Sequence, residues 1–471
     1  MIKTSLTCFA RRLQTGLLVA LMAVPSLPVT AATPVVPAAS GISGPGQPSW
    51  ICNQLEDAQY YSDESYIFIR RGKGDWLFRS HTDFNVYPPV AGSLVNNFAH
   101  LNKVLKASNV RLAVLVTPPR GSMMREFIDP AARNTERYSP DIAMQSYQKT
   151  LSRLRSTGIF VPDVTAAALD NNLSLPGTNS QFYLSGDIHW TAYGAYVTAN
   201  ATARELARHP EYRNIPKTEF KTALGAVREE QQMLRLEASR ICHSTYKADK
   251  IRAFETVRAA AGAGGNLLDG GDVEIALVGT SFSVRPTANF SGFLRQELRA
   301  DVANYAIGGG GFEASILSYL LSADYQAAKP KVLIWEMQYH NLDGVASFPL
   351  ILGAADGDCG NKALVAGKAM PVKHGKIPIM ALSTAQRSKI RGPVNVVVNL
   401  TSPDARQYRL TATYTDGRQD QFDIDASRWP HPANKMIMRL PRDGGELADV
   451  SLIPHQRLSG TAAAHVCRAS S

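Results

Sequence analysis

The chain has 471 residues, 45% of them hydrophobic and 19% charged, and its 50 Lys and Arg against 40 Asp and Glu give a formal net charge of +10. That length exceeds one compact unit and predicts two domains, while the composition is that of a globular protein and excludes a disordered chain. Past the N-terminus no apolar run reaches the ~18 residues that cross a bilayer, which excludes a polytopic membrane protein.

Residues 1–32 have a composition of their own. Lys3, Arg11 and Arg12 precede the apolar run from Leu17 to Val24, and the small residues Ala31 and Ala32 follow it. This order of charge, short apolar core and small-residue exit predicts a cleaved secretory signal peptide and a soluble, exported mature chain starting near Ala32 or Thr33. Cys8 lies ahead of the apolar core and is no lipid-attachment cysteine. Four cysteines remain, Cys52, Cys242, Cys359 and Cys467, and four allow three disulfide pairings in an exported protein. Their spacing matches no zinc pattern, so no metal site is expected. If the chain divides near residue 350, the natural pairing is Cys52–Cys242 and Cys359–Cys467, one bridge in each part.

Residues 33–48 are rich in Pro, Ala, Gly and Ser and predict a flexible lead-in. The stretch YIFIRRGKGDWLF has strand–turn–strand character. LVNNFAHLNKVLKASNV then has helical spacing and RLAVLVTPPRG is a buried-strand run stopped by two prolines. MQSYQKTLSRLRSTG followed by IFVPDV repeats that order. A polar turn, SGDIHW, leads into the helical AYGAYVTANATARELARH. DVEIALVGTSFS, FSGFLRQELRADVANYAIGGGGF and ASILSYLLSADYQAAKPKVLIWEMQYH alternate strand and helix again. Such alternation predicts an α/β fold, a parallel sheet flanked by helices, over residues 33–353. From residue 354 the texture changes to short segments such as VNVVVNL, RQYRLTATY and RQDQFDID, which predict a small antiparallel β-sandwich over residues 354–471. No internal repeat is evident. Residues 355–471 hold 16 Lys and Arg against 10 Asp and Glu, and a basic module on an exported protein favours a polyanion, of which an acidic polysaccharide suits that location best.

Ligands of an open α/β sheet bind beyond the carboxyl ends of its strands, and three strand ends carry unusual residues. EIALVGTSFS delivers Gly279, Thr280 and Ser281; VANYAIGGGGFE places Gly308 to Gly311; KVLIWEMQYHN carries Trp335, Glu336, Tyr339 and His340. A serine at a strand-to-helix turn exposes its oxygen and points its own N–H at an oxyanion, and glycines let a second N–H approach. Ser281, Gly308, Gly309 and Gly310 are therefore oxyanion-hole candidates. The hydroxyl still needs a base. His189 supplies one, with Asp187 two residues earlier to fix its tautomer. A D-x-H and a G-x-S are each common by chance, and Asp187 or Thr191 alone is explained by helix capping. Their combination with a glycine turn in the right slot carries the weight. Tyr339 is an acceptor-site candidate, and Arg406, Arg409, Arg428 and Trp429 are candidates for binding polymer in the basic tail, although an indole in a small sandwich more often packs in its core.

GDIHW, VGTSFS, NYAIGGGG and LIWEMQYH, with four mature cysteines and a basic β-rich tail, resemble the AlgX/AlgJ family of SGNH-like polysaccharide O-acetyltransferases over essentially the whole mature chain. The resemblance implies an SGNH-hydrolase-like domain followed by a carbohydrate-binding module, with Ser281 as nucleophile, His189 as base, Asp187 as its partner, and two disulfides that fit the pairing above. It implies a periplasmic enzyme acetylating alginate by double displacement, with no cofactor and no nucleic acid, as a monomer. An acetyl donor relayed by membrane-bound proteins and an outer-membrane secretion scaffold such as AlgK are the implied partners. G-T-S stands where the common SGNH pattern has G-D-S, and the usual G-x-N-D block is absent. The same three groups also suit an acetylesterase, if water replaces the sugar hydroxyl, and a non-catalytic polysaccharide-binding scaffold subunit remains a further alternative.

Overall fold

Near-continuous apolar strands and helices with three-to-four-residue apolar spacing build a covered parallel sheet. The computed structural model describes residues 51–471 except 63–65, 133–134, 170–171, 260–272, 343–344, 442–444 and 471. The expected signal peptide and lead-in lie outside the described residues. Strands β1 (Ile69–Arg71) and β2 (Leu77–Arg79) form a short hairpin. In α1 (Gly92–Ala107) the side chains of Leu94, Phe98, Leu101, Val104 and Leu105 fall on one buried stripe. After β3 (Arg111–Thr117), helix α2 (Pro140–Arg155) starts with Ser139 accepting from the Ile142 N–H and proline in its first turn, and ends on Arg153 and Arg155. Helix α3 (Ala192–Leu206) follows.

The chain then makes an excursion that its sequence does not announce. Strands β4 (Phe220–Glu230) and β5 (Asp249–Arg258) pair antiparallel as a two-stranded ribbon, with helix α4 (Met233–Ile241) between them. Most of β4 is exposed or half-buried, so it lacks the apolar alternation that marks a strand with one buried face.

The remaining α/β elements are β6 (Ile275–Val278), α5 (Phe290–Leu298), β7 (Ala303–Asn304), α6 (Ala314–Leu320), β8 (Val332–Gln338) and α7 (Phe348–Asp356). The sheet has the order β3-β8-β6-β7 with every pair parallel, and Phe160 bridges to Ala113 beyond β3. Successive residues of β3 enter different cores. Leu112, Val114 and Val116 join α1, α2 and α6 in one cluster, while Ala113 and Leu115 join α3 and α5 in the other. The sheet is therefore buried on both faces, which explains its near-continuous apolar strands.

Residues 365–468 form two antiparallel sheets of a β-sandwich. One has the order β10 (Met370–Pro371), β17 (Thr461–Arg468), β12 (Val394–Leu400), β15 (Lys435–Leu440), with β9 (Val365–Ala366) also on β17. The other has the order β11 (Ile377–Ala381), β16 (Leu447–Pro454), β13 (Gln407–Tyr414), β14 (Gln419–Asp425). The run VNVVVNL of β12 does not alternate, because its outer face is covered too: Val397, Ile437 and Cys467 are buried there. Helix α7 lies directly on β15, and a Cβ on Gly353 would stand 2.3 Å from the Ile437 carbonyl oxygen. The expected boundary between residues 353 and 354 falls inside this helix. One apolar cluster runs from α1 and β8 through Phe348 and Ile351 into Val396, Leu410 and Leu452 of the sandwich.

Disulfides join Cys52 to Cys242 and Cys359 to Cys467. Among the described residues no helix is long and apolar enough to cross a membrane.

Candidate active site

The site forms where β6 ends. Gly279 and Thr280 turn the chain, and Ser281 opens a one-turn helix, Ser281–Val284, whose Phe282 N–H donates to Thr280 Oγ1. The loop before α3 meets this turn from the other side. There the helix cap is Thr191, whose Oγ1 accepts from the Gly194 N–H. Asp187 is thereby left for other work. Its Oδ1 accepts from His189 Nδ1 at 2.6 Å and its Oδ2 accepts from the Met233 N–H at 2.9 Å. His189 Nε2 stands 2.7 Å from Ser281 Oγ. An imidazole that donates through Nδ1 to a carboxylate has a lone pair at Nε2, which accepts from the serine hydroxyl.

Burial tends to raise the Asp187 carboxyl, but the hydrogen bond and charge of His189, the Arg285 guanidinium at 3.8 Å and the Met233 N–H outweigh it and hold it far below the usual carboxylate range. The acid therefore stays charged while almost wholly buried. Trp190 is buried beside it: its indole N–H donates to the Phe282 carbonyl at 3.0 Å, and its ring packs against Phe282 and Phe290.

Several supports gave no signal of their own in the sequence. Arg285 bridges Asp187 to Glu230 at the end of β4, 2.8 Å away. Gln232 accepts the Gly186 N–H through its side chain, and Arg235 fills the space where a Cβ on Gly186 would sit. Arg120 donates to the Leu184 carbonyl at 2.7 Å. The ribbon and α4 thus contribute Glu230, Gln232 and Arg235 to the backing of the Asp187–His189 loop.

The glycine turn is divided in its surroundings. A Cβ on Gly308 would lie 3.6 Å from Ser281 Cβ, so this residue is the one beside the serine. Gly309, at φ +72, faces the guanidinium of Arg428 instead, and Gly310 is packed against Ala314 and Ile307. Tyr339 lines a small cavity with Ile188 and Phe282, the sequence neighbours of His189 and Ser281. It is buried, with its hydroxyl 3.2 Å from both the Tyr87 carbonyl and Ser146 Oγ and its ring against Tyr87 and Tyr147.

The sandwich candidates separate in the same way. Arg406 donates to the carbonyls of Ala426 and Trp429 and so braces its own loop. Trp429 is buried in the core. Arg409 forms a two-pronged pair with Asp423 on the exposed face of β13 and β14. Arg428 lines a cleft of about 820 Å³ with Asn304, Tyr305, Gly308, Ser318 and His431. His431 Nε2 lies 3.1 Å from Ser318 Oγ and fixes that seam. Asp358, Cys359, His465 and Cys467 come together as metal ligands do, but both sulfurs are in a disulfide and Asp358 pairs with Lys435 and His465.

Residues 69–339 match the family model described as the SGNH hydrolase-like domain of the acetyltransferase AlgX. The alginate biosynthesis protein AlgX of Pseudomonas syringae pv. tomato is 30% identical over 413 residues, 86% of this chain and 83% of that protein. The probable alginate O-acetylase AlgJ of Pseudomonas putida is 29% identical over 280 residues, 56% of this chain and 68% of that one. The solved structure of Pseudomonas aeruginosa AlgX superposes with a TM-score of 0.77 at 25% identity, covering 89% of this chain and all of that one. With a match over more than half of its length and relatives aligned along most of it, the chain belongs to the AlgX family of SGNH hydrolase-like acetyltransferases.

Proposed function

We propose that this protein transfers acetyl groups to hydroxyls of an exported acidic polysaccharide, alginate, by double displacement at Ser281. The observation that carries the reading is the unbroken chain from Ser281 Oγ through His189 to Asp187, at 2.7 and 2.6 Å, on the carboxyl end of a parallel strand. Ser281 Oγ attacks the carbonyl carbon of an acetyl ester while His189 Nε2 takes its proton. The tetrahedral oxyanion is met by the N–H groups of Ser281 and Gly308, in the manner of other acyl-transfer sites. Its collapse expels the donor alcohol, which leaves with the proton from His189, and the acetyl group stays on Ser281. A sugar hydroxyl then attacks the acetyl carbon, gives its proton to His189, and departs as the acetyl ester when Ser281 Oγ recovers that proton.

The basic residues 354–471 act in this reading as the carbohydrate-binding module, with Arg428 nearest the reacting groups. Export to the periplasm is supported by the composition of residues 1–32 and by two disulfides. Membrane proteins that relay the acetyl group and a secretion scaffold of the AlgK kind are the partners that family membership suggests. The test uses an activated acetyl ester with and without oligouronate. Acetylated oligouronate, and an acetyl-sized mass on Ser281 that is absent from Ser281→Ala, are expected. Release of acetate alone, unchanged by oligouronate, makes the protein an esterase.

A further inference from the structure

We propose that Glu336 is the positioning residue of the nucleophile turn, gripping the N–H and hydroxyl of Thr280 before Ser281 and the hydroxyl of Ser283 after it, so that acetyl transfer depends on a carboxylate that touches no substrate. The inference rests on Ser281 being the nucleophile.

Glu336 continues the row Val332 and Ile334 on β8, and it is fully buried in what is otherwise an apolar face. A charged side chain in that place is costly unless its acceptors are filled. Here they are filled by the turn. The Thr280 N–H donates to Oε2 at 2.8 Å, Thr280 Oγ1 lies 3.1 Å from both carboxyl oxygens, and Ser283 Oγ donates at 3.0 Å. Residue 279 has to be glycine, because a Cβ there would stand 2.6 Å from Glu336 Oε2. An ionised carboxylate only accepts, so the Thr280 hydroxyl must point its proton at Glu336. Its lone pairs are then turned to the Phe282 N–H it caps. Donor direction is set on both flanks of Ser281 by one group.

Among the described residues no cation is paired with this carboxyl. Its parallel partner on β3 is Leu115, and Gly279 follows β6 beside it. From α6, Ser315 accepts the Gly279 N–H. The turn's own cation, Arg285, is engaged with Asp187 and Glu230, and the Ser281 hydroxyl meets His189. Burial therefore pushes the Glu336 carboxyl up to about 7, against the hydrogen bonds from Thr280 and Ser283 and with no charge–charge contribution.

Glutamine keeps the shape but offers one accepting oxygen to three donors, leaving at least one of them against an amide NH₂. With 4-nitrophenyl acetate as acetyl donor, Glu336→Gln is expected to keep KM within about twofold and to lower kcat roughly tenfold or more through misplacement of the hydroxyl. In the parent, the acid limb of kcat involves two groups that must be unprotonated, His189 and Glu336; in the variant only one remains, so the limb becomes less steep. Ser283→Ala removes one donor and is expected to move the parent's limb to higher pH. Parental kcat and pH profiles in both variants overturn the inference. Should Glu336→Gln fail to fold, Ser283→Ala decides alone: a displaced limb supports the role and an unmoved one overturns it. A parent that takes no acetyl group on Ser281 overturns the functional reading and this inference with it.

Discussion

Trp190 and Phe282 join the two halves of the site, since the indole N–H of the residue after the imidazole donates to the carbonyl of the residue after the nucleophile. His189 and Ser281 are 92 positions apart in sequence, and this bond sets their approach from just behind them. Trp190→Phe keeps most of the apolar contact and removes the donor. It is expected to lower kcat for a small acetyl ester roughly ten- to a hundredfold through loosened geometry, with KM little changed. A kcat equal to the parent's makes Trp190 a core side chain only.

Asp187→Asn tests the acid through its hydrogen-bond polarity. The Met233 N–H needs an oxygen, so the asparagine carbonyl turns there and its NH₂ faces His189 Nδ1. The imidazole must then carry its proton on Nε2, against Ser281. The expected loss of kcat is on the order of 10³-fold or more. Stability responds to pH in a definite sense. The folded-state carboxyl lies below its unfolded value, so its contribution is present above the ordinary carboxylate range and is lost as pH falls from that range toward the depressed folded-state value. Acid titration of the parent and the variant, followed by circular dichroism, should show the variant losing less.

Arg428→Ala and Arg409→Ala separate a residue at the cleft from one on an outer face. Arg428 faces Gly309, whereas Arg409 is paired with Asp423. The first change is expected to raise KM for oligouronate about tenfold, as loss of a charged hydrogen bond does, while sparing 4-nitrophenyl acetate. The second should change KM less than twofold, in line with exposed ion pairs. Added salt should weaken oligouronate use by the parent more than by Arg428→Ala. Equal effects of the two substitutions would remove Arg428 from the polymer path.

Removing residues 358–471 tests whether the two parts stand alone. The cut strips the sandwich from α7 and opens the apolar cluster that both share. The truncated chain is expected to be recovered aggregated, and the full chain to melt in one calorimetric transition. Two resolved transitions, or a soluble fragment with ester activity, contradict that expectation.

The parallel sheet was legible because its strands are apolar on both faces and stop at Pro118, Gly279 and Tyr339. Asp187, His189 and Ser281, named from local spacing and strand ends, are brought within hydrogen-bond reach of one another. The β4–β5 ribbon was not legible, since water on most sides of a strand erases the two-residue pattern. Arg285 and Gln232 were missed for a related reason: each acts on a partner that only the folded chain brings near. A tyrosine at a strand end suits a ligand and a buried hydrogen bond alike, and the Tyr339 hydroxyl has Tyr87 and Ser146 as partners.

The order of strands has a consequence for synthesis. β8 pairs with β3 on one side and β6 on the other, yet it is the last of the four to leave the ribosome. Until residues 332–338 emerge, β3 and β6 have no neighbour between them, and closure must then span the more than 200 residues from β3. Pairings so distant form slowly. Asp187, His189 and Ser281 all precede β8 in the chain, so the sheet that carries them closes only with the last of its four strands.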